Sequence, residues 1–209
     1  MRFKDRREAG RLLAEALRPL GLEDLVVLGI PRGGVVVADE VARALGGTLD
    51  IVLVRKLGAP GNPEFALGAL GEDGQAVLMP YWNLYADETY LQGEITRQRG
   101  VLRARSARYR SKRPKLPLKG REVVVVDDGV ATGATLEAAL RVVRAEGPKR
   151  LVAAAPVMSK EAFGRLSSLA DEVVSLSTPE DFGAVGAYYL DFREVSDEDV
   201  EALLVEWAP

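Results

Sequence analysis

Short runs of aliphatic residues recur along the chain and alternate with segments whose apolar residues repeat at helical spacing. These runs lack the regular polar–apolar alternation of a strand with one wet face, so each is predicted to be a strand buried on both sides. Five such strands are predicted, at residues 25–30, 50–54, 122–126, 151–157 and 172–176. Because strands separated by helices pair in parallel, the sequence predicts an α/β fold with a five-stranded parallel sheet flanked by helices.

The helical segments lie between these strands and on both flanks of the chain. Apolar spacing predicts helices at 5–18, 35–45, 87–110, 132–146 and 159–168, and a last helix that begins at Ser196. Ser196 is followed by three acidic residues, a pattern that caps a helix N-terminus and suits the helix dipole. Between the second and third core strands, irregular sequence contains a predicted hairpin at 65–79.

A length of 209 residues suits one compact domain that is stable without disulfides or structural metals. We expect a core at about 22–177, an inserted flexible or helical region at about 57–120, and a small hood at about 178–209. The hood candidate is the aromatic- and glycine-rich segment 182–192 together with the N-terminal helix. Sealing of the core and a dimer contact are the alternatives for that segment.

The composition excludes several kinds of site. The chain has no Cys and no His, which rules out disulfides, thiol nucleophiles, Ser-His-Asp triads and His-based zinc sites. Any chemistry must rest on carboxylates, hydroxyls, Lys and Arg side chains and backbone amides. The longest uncharged run, 74–86, has 13 residues and is too short to span a bilayer, and the charged N-terminus does not resemble a signal peptide. We therefore expect a cytoplasmic protein with no membrane partner, and the scarcity of Asn indicates a thermophilic source.

Residues 123–135, VVVVDDGVATGAT, place two carboxylates and a loop of Gly and Thr between a buried strand and a helix. Ligands of parallel sheets bind beyond the carboxyl ends of the strands. The unpaired amides of the helix N-terminus suit a phosphate, whereas Asp127 and Asp128 can accept hydrogen bonds from vicinal hydroxyls. The junction is therefore predicted to hold a phosphorylated sugar.

This segment resembles the phosphoribosyl-pyrophosphate (PRPP) signature of type I phosphoribosyltransferases. The resemblance implies that Asp127 and Asp128 hold the ribose 2- and 3-hydroxyls and that the loop 131–135 binds the 5-phosphate. The PRPP contacts implied in this segment are Asp127, Asp128, Gly129, Val130, Ala131, Thr132, Gly133, Ala134 and Thr135. Hypoxanthine-guanine enzymes carry Asp where this chain has Ala131, which disfavours a 6-oxopurine acceptor.

Two further segments resemble the same family in order and position. LGIPRGG, at 28–34, follows the first core strand, where the family has its pyrophosphate loop, often with a non-proline cis peptide. There Arg32 offers a fork of donors, and Gly33 and Gly34 offer bare amides. IVLVRK, at 51–56, ends the second predicted strand in Arg55 and Lys56, which the resemblance places at the pyrophosphate. Charges that extend from a strand end into solvent are the alternative for this pair.

The resemblance implies transfer of a phosphoribosyl group from PRPP to a nitrogenous acceptor of unknown identity, with release of pyrophosphate. The candidate catalytic residues are Asp127, Asp128, Arg32 and Lys56. Mg²⁺ is the implied cofactor, held mainly by PRPP and water with no direct protein ligand. Glu64 is one candidate general base, and a solvated loop carboxylate is the alternative for it.

A basic segment is embedded in an otherwise acidic chain. Residues 95–121 contain eleven cations and no acid, and the rest of the chain has 17 basic and 31 acidic residues. We expect these cations to be solvated beside acidic neighbours, on the flanks of a helix that packs on its own body or on a partner subunit; attraction of anionic PRPP and binding of nucleic acid are the alternatives. The apolar stripe between them offers a homodimer surface, which family members commonly form. It consists of Leu91, Ile95, Leu102 and Tyr109.

The sequence is also compatible with a regulatory function. The same fold could serve a regulator that senses PRPP or a nucleotide and binds nucleic acid through the basic helix, since fold alone does not decide function. Hydrolysis of a phosphorylated sugar is a third and weaker hypothesis, because no metal-ligand cluster or activated nucleophile is visible in the sequence.

Overall fold

The computed structural model describes residues 2–209 as two sheets and a set of helices. In this part of the chain the strands are β1 Leu25–Gly29, β2 Thr48–Ile51, β3 Val54–Ala59, β4 Asn62–Gly71, β5 Ala76–Leu78, β6 Glu122–Val126, β7 Arg150–Val157 and β8 Glu172–Ser177. The α-helices are α1 Arg6–Leu17, α2 Gly33–Leu45, α3 Glu88–Arg110, α4 Ala134–Ala145, α5 Lys160–Leu166 and α6 Asp197–Trp207.

The central sheet has five parallel strands in the order β2-β1-β6-β7-β8, which confirms the predicted α/β fold. Residues Leu25–Gly29 and Arg150–Val157 are almost entirely buried, because helices cover both faces of the sheet. In register, Gly29 pairs with Val126, and Val126 pairs with Ala154. The carboxyl ends of these strands therefore lie side by side, and the loops that follow them meet at one edge.

One predicted strand is wrong in its second half. The pattern predicts a single strand at 50–54, but β2 ends at Ile51 and β3 begins at Val54, in a different sheet. Val52 and Leu53 are 7% and 2% exposed, so the apolar run continues through the junction although the strand does not. Arg55 and Lys56 consequently lie in the second sheet rather than at the end of the second core strand.

The region inserted between β2 and β6 consists of an antiparallel sheet, β3-β4-β5, and the 23-residue helix α3. The predicted hairpin corresponds to β4 and β5, closed by a hydrogen bond from the Gly71 amide to the Gln75 carbonyl at 3.0 Å. The sequence pattern does not predict β3 as a separate strand. The small sheet packs on α4, which brings the insertion next to the loop that follows β6.

The apolar stripe of α3 is not a dimer surface. Its four residues are between 1% and 6% exposed because β3 and α6 cover them, so the expectation that they contact a second subunit is wrong. Tyr109 is held further by a hydrogen bond from its hydroxyl to Asp197 Oδ1 at 2.5 Å. Burial and this bond to Asp197 raise the pKa of Tyr109 to about 12.

Several cations of the basic segment pair with acids of the same chain. Arg108 contacts carboxylates at the start of α6, and Arg97 contacts Glu94 at 2.7 Å. Arg110 lies between Asp50 and Glu72, at 2.7 and 2.6 Å. For these three arginines the structure agrees with a helix that packs on its own acidic body. None of the helices formed by residues 2–209 is long and apolar enough to cross a membrane.

Candidate active site

Two carboxylates stand at the carboxyl end of β6, at the centre of the parallel sheet. The Asp127 Oδ1 atom accepts a hydrogen bond from the Asp128 amide at 2.8 Å, which fixes the turn between them. Burial raises the pKa of Asp127 well above its ordinary value, and the neighbouring charge of Asp128 raises it further. The Asp127 carboxyl therefore retains its proton at a pH where exposed carboxyls have lost theirs.

This pKa shift makes a prediction about stability. Between the ordinary pKa of a carboxyl and the raised one, the folded protein holds a proton that the unfolded chain has already released, so folding stability falls as pH rises through that window. Replacing Asp127 with Asn removes the charge, and we expect Tm to exceed that of the wild type at pH 8 by at least about 2 °C.

The gain should shrink toward pH 4, where the carboxyl of the unfolded chain also begins to take up its proton. Thermal unfolding followed by circular dichroism at several pH values measures it. Asp73→Asn, an exposed turn residue, is the control. A gain in Tm that is the same at pH 4 and pH 8 would contradict a raised pKa for Asp127.

The loop after β1 lies directly against the acidic pair. A Cβ built on Gly33 would come within 2.1 Å of Asp128 Oδ2, and one on Gly34 within 2.8 Å of the Val126 carbonyl oxygen. The peptide bond between Pro31 and Arg32 is cis, as the resemblance implied for this loop. The two segments are therefore adjacent in space, and only glycine permits this approach.

Arg32 lies at the start of α2 and faces the C-terminal part of the chain. Its Nε donates to the Val195 carbonyl oxygen at 2.6 Å, and its Nη2 lies 3.2 Å from the exposed Glu194. Beside it is a cavity of about 450 Å³. The residues that line this cavity are Arg6, Pro31, Arg32, Gly33, Phe192, Glu194 and Val195.

Arg6, which sequence analysis did not select, is also part of this site. Its Nε donates to Asp128 Oδ2 at 3.0 Å, and its Nη1 donates to the Arg193 carbonyl oxygen at 2.7 Å. Its guanidinium lies 4.0 Å from the centre of the Phe192 ring. Nothing in the local sequence distinguishes Arg6 from Arg7, so only the tertiary contacts identify it.

The loop 131–135 forms the turn into α4. The Ser159 hydroxyl donates to the Ala131 carbonyl oxygen at 2.6 Å, and Thr132 Oγ1 accepts from the Ala134 amide at 3.3 Å. Gly133, with φ of 85°, is the N-cap, so α4 begins at Ala134 instead of residue 132. Thr132 and Thr135 are exposed at this turn, and their hydroxyls and the first amides of α4 form an anion-binding arrangement.

Arg165 of α5 is a second cation that sequence analysis missed at this site. Its Nη2 lies 3.1 Å from the position that a Cβ on Gly133 would take, so the guanidinium stands over the turn. The other two residues of the implied signature, Gly129 and Val130, are buried and support the loop. A Cβ on Gly129 would meet Val185 at 2.4 Å, and the Val130 amide donates to the Val157 carbonyl oxygen at 2.9 Å.

Arg55 and Lys56 lie on the small sheet and face a different cavity, of about 360 Å³, together with Thr135. Arg55 Nε donates to Gln98 Oε1 at 2.8 Å, and Lys56 Nζ lies 3.4 Å from Glu64, whose side chain is 84% exposed. Among residues 2–209, none lines both this cavity and the one at Arg32. The structure thus brings these cations to the loop 131–135 but not to the acidic pair.

The segment around Tyr189 covers the acidic loop. The Tyr189 hydroxyl donates to the Asp128 carbonyl oxygen at 2.6 Å, and Phe3 pairs with Tyr189 as an isolated parallel bridge. Burial raises the pKa of Tyr189, so its hydroxyl remains a donor. Phe3 and the segment around Tyr189 therefore meet at the edge of the sheet where the site lies.

The donors of the acidic pair are of the kind that a hard divalent cation prefers. Residues 2–209 contain no cluster of three or more His, Cys, Asp or Glu that could hold a metal ion. Asp127 and Asp128 offer hard oxygen donors beside two glycine amides. This donor set suits Mg²⁺ that takes most of its ligands from a phosphorylated substrate and water.

Comparisons with known proteins agree with this description. The model of the phosphoribosyl transferase domain family matches residues 4–193. The crystal structure of TT1426 from Thermus thermophilus has 71% sequence identity, covers 100% of both chains and superimposes with a TM-score of 0.98. The Mycobacterium tuberculosis H37Rv protein named "Putative phosphoribosyl transferase Rv0571c" is 46% identical over 204 residues, which are 97% of this chain and 46% of that protein. The chain thus spans about half the length of that curated relative.

Proposed function

Because the chain belongs to the phosphoribosyl transferase domain family, we propose that it transfers the phosphoribosyl group of PRPP to a nitrogenous acceptor and releases pyrophosphate. The observation that carries the proposal is the direct approach of Gly33 and Gly34 to Asp127 and Asp128 at the carboxyl ends of adjacent parallel strands. The amides that would bind a diphosphate therefore lie close enough to the carboxylates that would bind a polyol for one ligand to contact both groups.

Each part of PRPP has matching groups in this arrangement. Asp127 and Asp128 would accept hydrogen bonds from the ribose 2- and 3-hydroxyls. The amides of the loop 131–135, with the hydroxyls of Thr132 and Thr135, would bind the 5-phosphate, and the N-terminus of α4 favours the negative charge there. Catalysis by such a site consists of positioning the reactants and stabilising charge, because no nucleophilic side chain takes part.

The leaving diphosphate would be stabilised by cations and amides. Arg32 and the amides of Gly33 and Gly34 lie nearest to its expected position. Arg55 and Lys56 stand on the inserted sheet beside Thr135, so a movement of that sheet toward the acidic pair would bring them to the substrate and exclude water. Asp127 and Asp128 would hold Mg²⁺, when bound, through hydrogen bonds from its waters, and the ion would supply positive charge that offsets the charge of the diphosphate.

The acceptor is a nitrogenous base or a similar nucleophile. Ala131 offers no carboxylate to a purine ring, which continues to disfavour a 6-oxopurine. Glu64 pairs with Lys56 and is largely exposed, and nothing in its surroundings marks it as a general base. Arg97, Arg108 and Arg110 of the basic segment pair with acids of the same chain, which leaves these three cations less available to the nucleic acid that the regulatory alternative requires.

Titration of Mg²⁺-PRPP into the protein by calorimetry tests the proposal. We expect saturable binding by the wild type and its loss in Asp127→Asn/Asp128→Asn, because each Asn keeps one acceptor oxygen but lacks the negative charge and the second oxygen of the carboxylate. Asp73→Asn is the matched control and should bind like the wild type. Absence of binding by the wild type would refute the proposal.

If Mg²⁺-PRPP binds, release of pyrophosphate in the presence of candidate bases separates an enzyme from a sensor. A screen of adenine, uracil and other nitrogenous acceptors should find at least one that releases pyrophosphate from the wild type and not from the double Asn variant. PRPP-dependent binding of RNA or DNA without pyrophosphate release would instead favour the regulator.

A further inference from the structure

Arg6 lies where the acidic pair, the loop after β1 and the cavity beside Arg32 meet. Its guanidinium touches Asp128, lines the cavity beside Arg32 and lies 2.8 Å, through Nε, from the position of a Cβ on Gly33. The side chains of Arg6 and Asp128 are only 11% and 14% exposed. A charged pair with so little access to water exerts a strong local field, because solvent screens it weakly.

At this position Arg6 can reduce the repulsion between the Asp128 carboxylate and a diphosphate bound in the proposed site. A diphosphate bound at Gly33 would stand next to the Asp128 carboxylate, since that carboxylate is already in contact with the backbone at Gly33. Two anions at such a distance repel strongly in a partly buried site. A cation is needed between them, and Arg6 lies there.

The surroundings of Arg6 hold its guanidinium in place from two sides. The Phe192 ring lies under its plane, and the Arg193 carbonyl oxygen accepts from Nη1. Arg6 Nε donates to Asp128. Within residues 2–209, the hydrogen bonds of Arg6 therefore use its Nε and Nη1 atoms, and none uses Nη2. An arginine fixed in this way needs little rearrangement to donate to a second anion.

We propose that Arg6 is a diphosphate-binding residue, which pairs with Asp128 on one side and donates to the diphosphate of the substrate on the other. This inference rests on the proposed function and adds to it a ligand from outside the loop that follows β1. Arg6 and Arg32 would then hold the leaving group from two sides of the same cavity.

Calorimetry with the two halves of PRPP tests the proposal. We expect Arg6→Met to weaken binding of Mg²⁺-pyrophosphate by about 30-fold or more, and binding of ribose 5-phosphate by no more than about threefold. Arg6→Lys, which keeps the charge without the fork, should give an intermediate loss of pyrophosphate affinity. Arg11→Met, on the exposed face of the same helix, is the control and should bind both ligands like the wild type. Wild-type pyrophosphate affinity in Arg6→Met would overturn the proposal.

A purely structural role for Arg6 predicts a different result. Arg6→Met leaves Asp128 without its cationic partner and is expected to lower Tm, and Arg6→Met/Asp128→Asn removes the unpaired charge and should restore much of that loss. If Arg6 only supported Asp128, the double variant would also recover pyrophosphate binding. We expect it to remain deficient in binding of pyrophosphate titrated without Mg²⁺, a ligand for which contacts of Asp128 with hydrated Mg²⁺ play no part.

The same measurements separate failure of this inference from failure of the proposed function. A wild type that binds Mg²⁺-PRPP, but whose pyrophosphate affinity does not depend on Arg6, refutes the role of Arg6 alone. A wild type that binds neither Mg²⁺-PRPP, pyrophosphate nor ribose 5-phosphate refutes both.

Discussion

Replacing Gly33 with alanine is expected to weaken binding of Mg²⁺-PRPP by about 100-fold or more, the scale of loss that follows from misplacing a binding group by about 1 Å. The added Cβ would lie 2.1 Å from Asp128 Oδ2 and 2.8 Å from Arg6 Nε. Either Asp128 must turn away from its place beside Gly33, or the loop after β1 must retreat from the acidic pair. Both movements would separate the proposed diphosphate site at Gly33 from the proposed ribose site at the acidic pair.

Calorimetry measures this effect, and Gly93→Ala is its matched control. Gly93 lies within α3, and a Cβ added there would meet no atom within 4 Å. That substitution should leave PRPP binding unchanged and stabilise the helix by about 1 kcal/mol or less. If Gly33→Ala bound Mg²⁺-PRPP as tightly as the control variant, the close approach of the two loops would not be required for binding.

Replacing Arg110 with methionine is expected to lower the free energy of unfolding by about 3–5 kcal/mol. Its guanidinium bridges Asp50 and Glu72, whose side chains are 1% and 9% exposed, and thereby ties the end of α3 to β2 and to the turn that follows β4. Methionine fills a similar volume but leaves two buried carboxylates without a cation. Because these two anions lie close together, their desolvation and mutual repulsion are both uncompensated.

Chemical denaturation of both variants and the wild type measures the loss. Arg108→Met is the control, because Arg108 lies two positions earlier on α3 and also contacts several acids, but its side chain is 44% exposed. Water screens its pairs, so that substitution should cost only a small fraction of the Arg110 effect. Equal losses in the two variants would show that burial of the Asp50–Arg110–Glu72 network adds nothing to stability.

The core of the fold was predictable because its strands are buried on both faces. A run such as Val123–Val126 has no polar side chain to expose, so it fits only the interior of a parallel sheet, and β6 begins and ends where the sequence indicates. The same reasoning failed at 50–54, since burial continues through Val52 and Leu53 while the chain passes from one sheet to the other. Apolar patterning reports burial, and it does not report which sheet a residue joins.

The acidic pair and the two loops were predictable because each lies within a short local motif. The neighbours of these groups were not, since they arrive from distant parts of the chain. Arg6 meets Asp128 across 122 positions, and Arg165 reaches the turn at Gly133 from α5. Arginine is common on helix surfaces, and its spacing carries no information about which one faces a site. Burial of the α3 stripe was likewise decided by β3 and α6, which no pattern within α3 can indicate.

The bridge between Phe3 and Tyr189 also bears on the order in which the site forms during synthesis. A chain that leaves the ribosome from its N-terminus has all five core strands once Ser177 has emerged. Tyr189, Phe192 and Arg193, which complete the surroundings of Asp128 and Arg6, are still to come. The nascent protein can therefore assemble its sheet while its acidic pair remains uncovered, and substrate binding is expected to mature later than the fold.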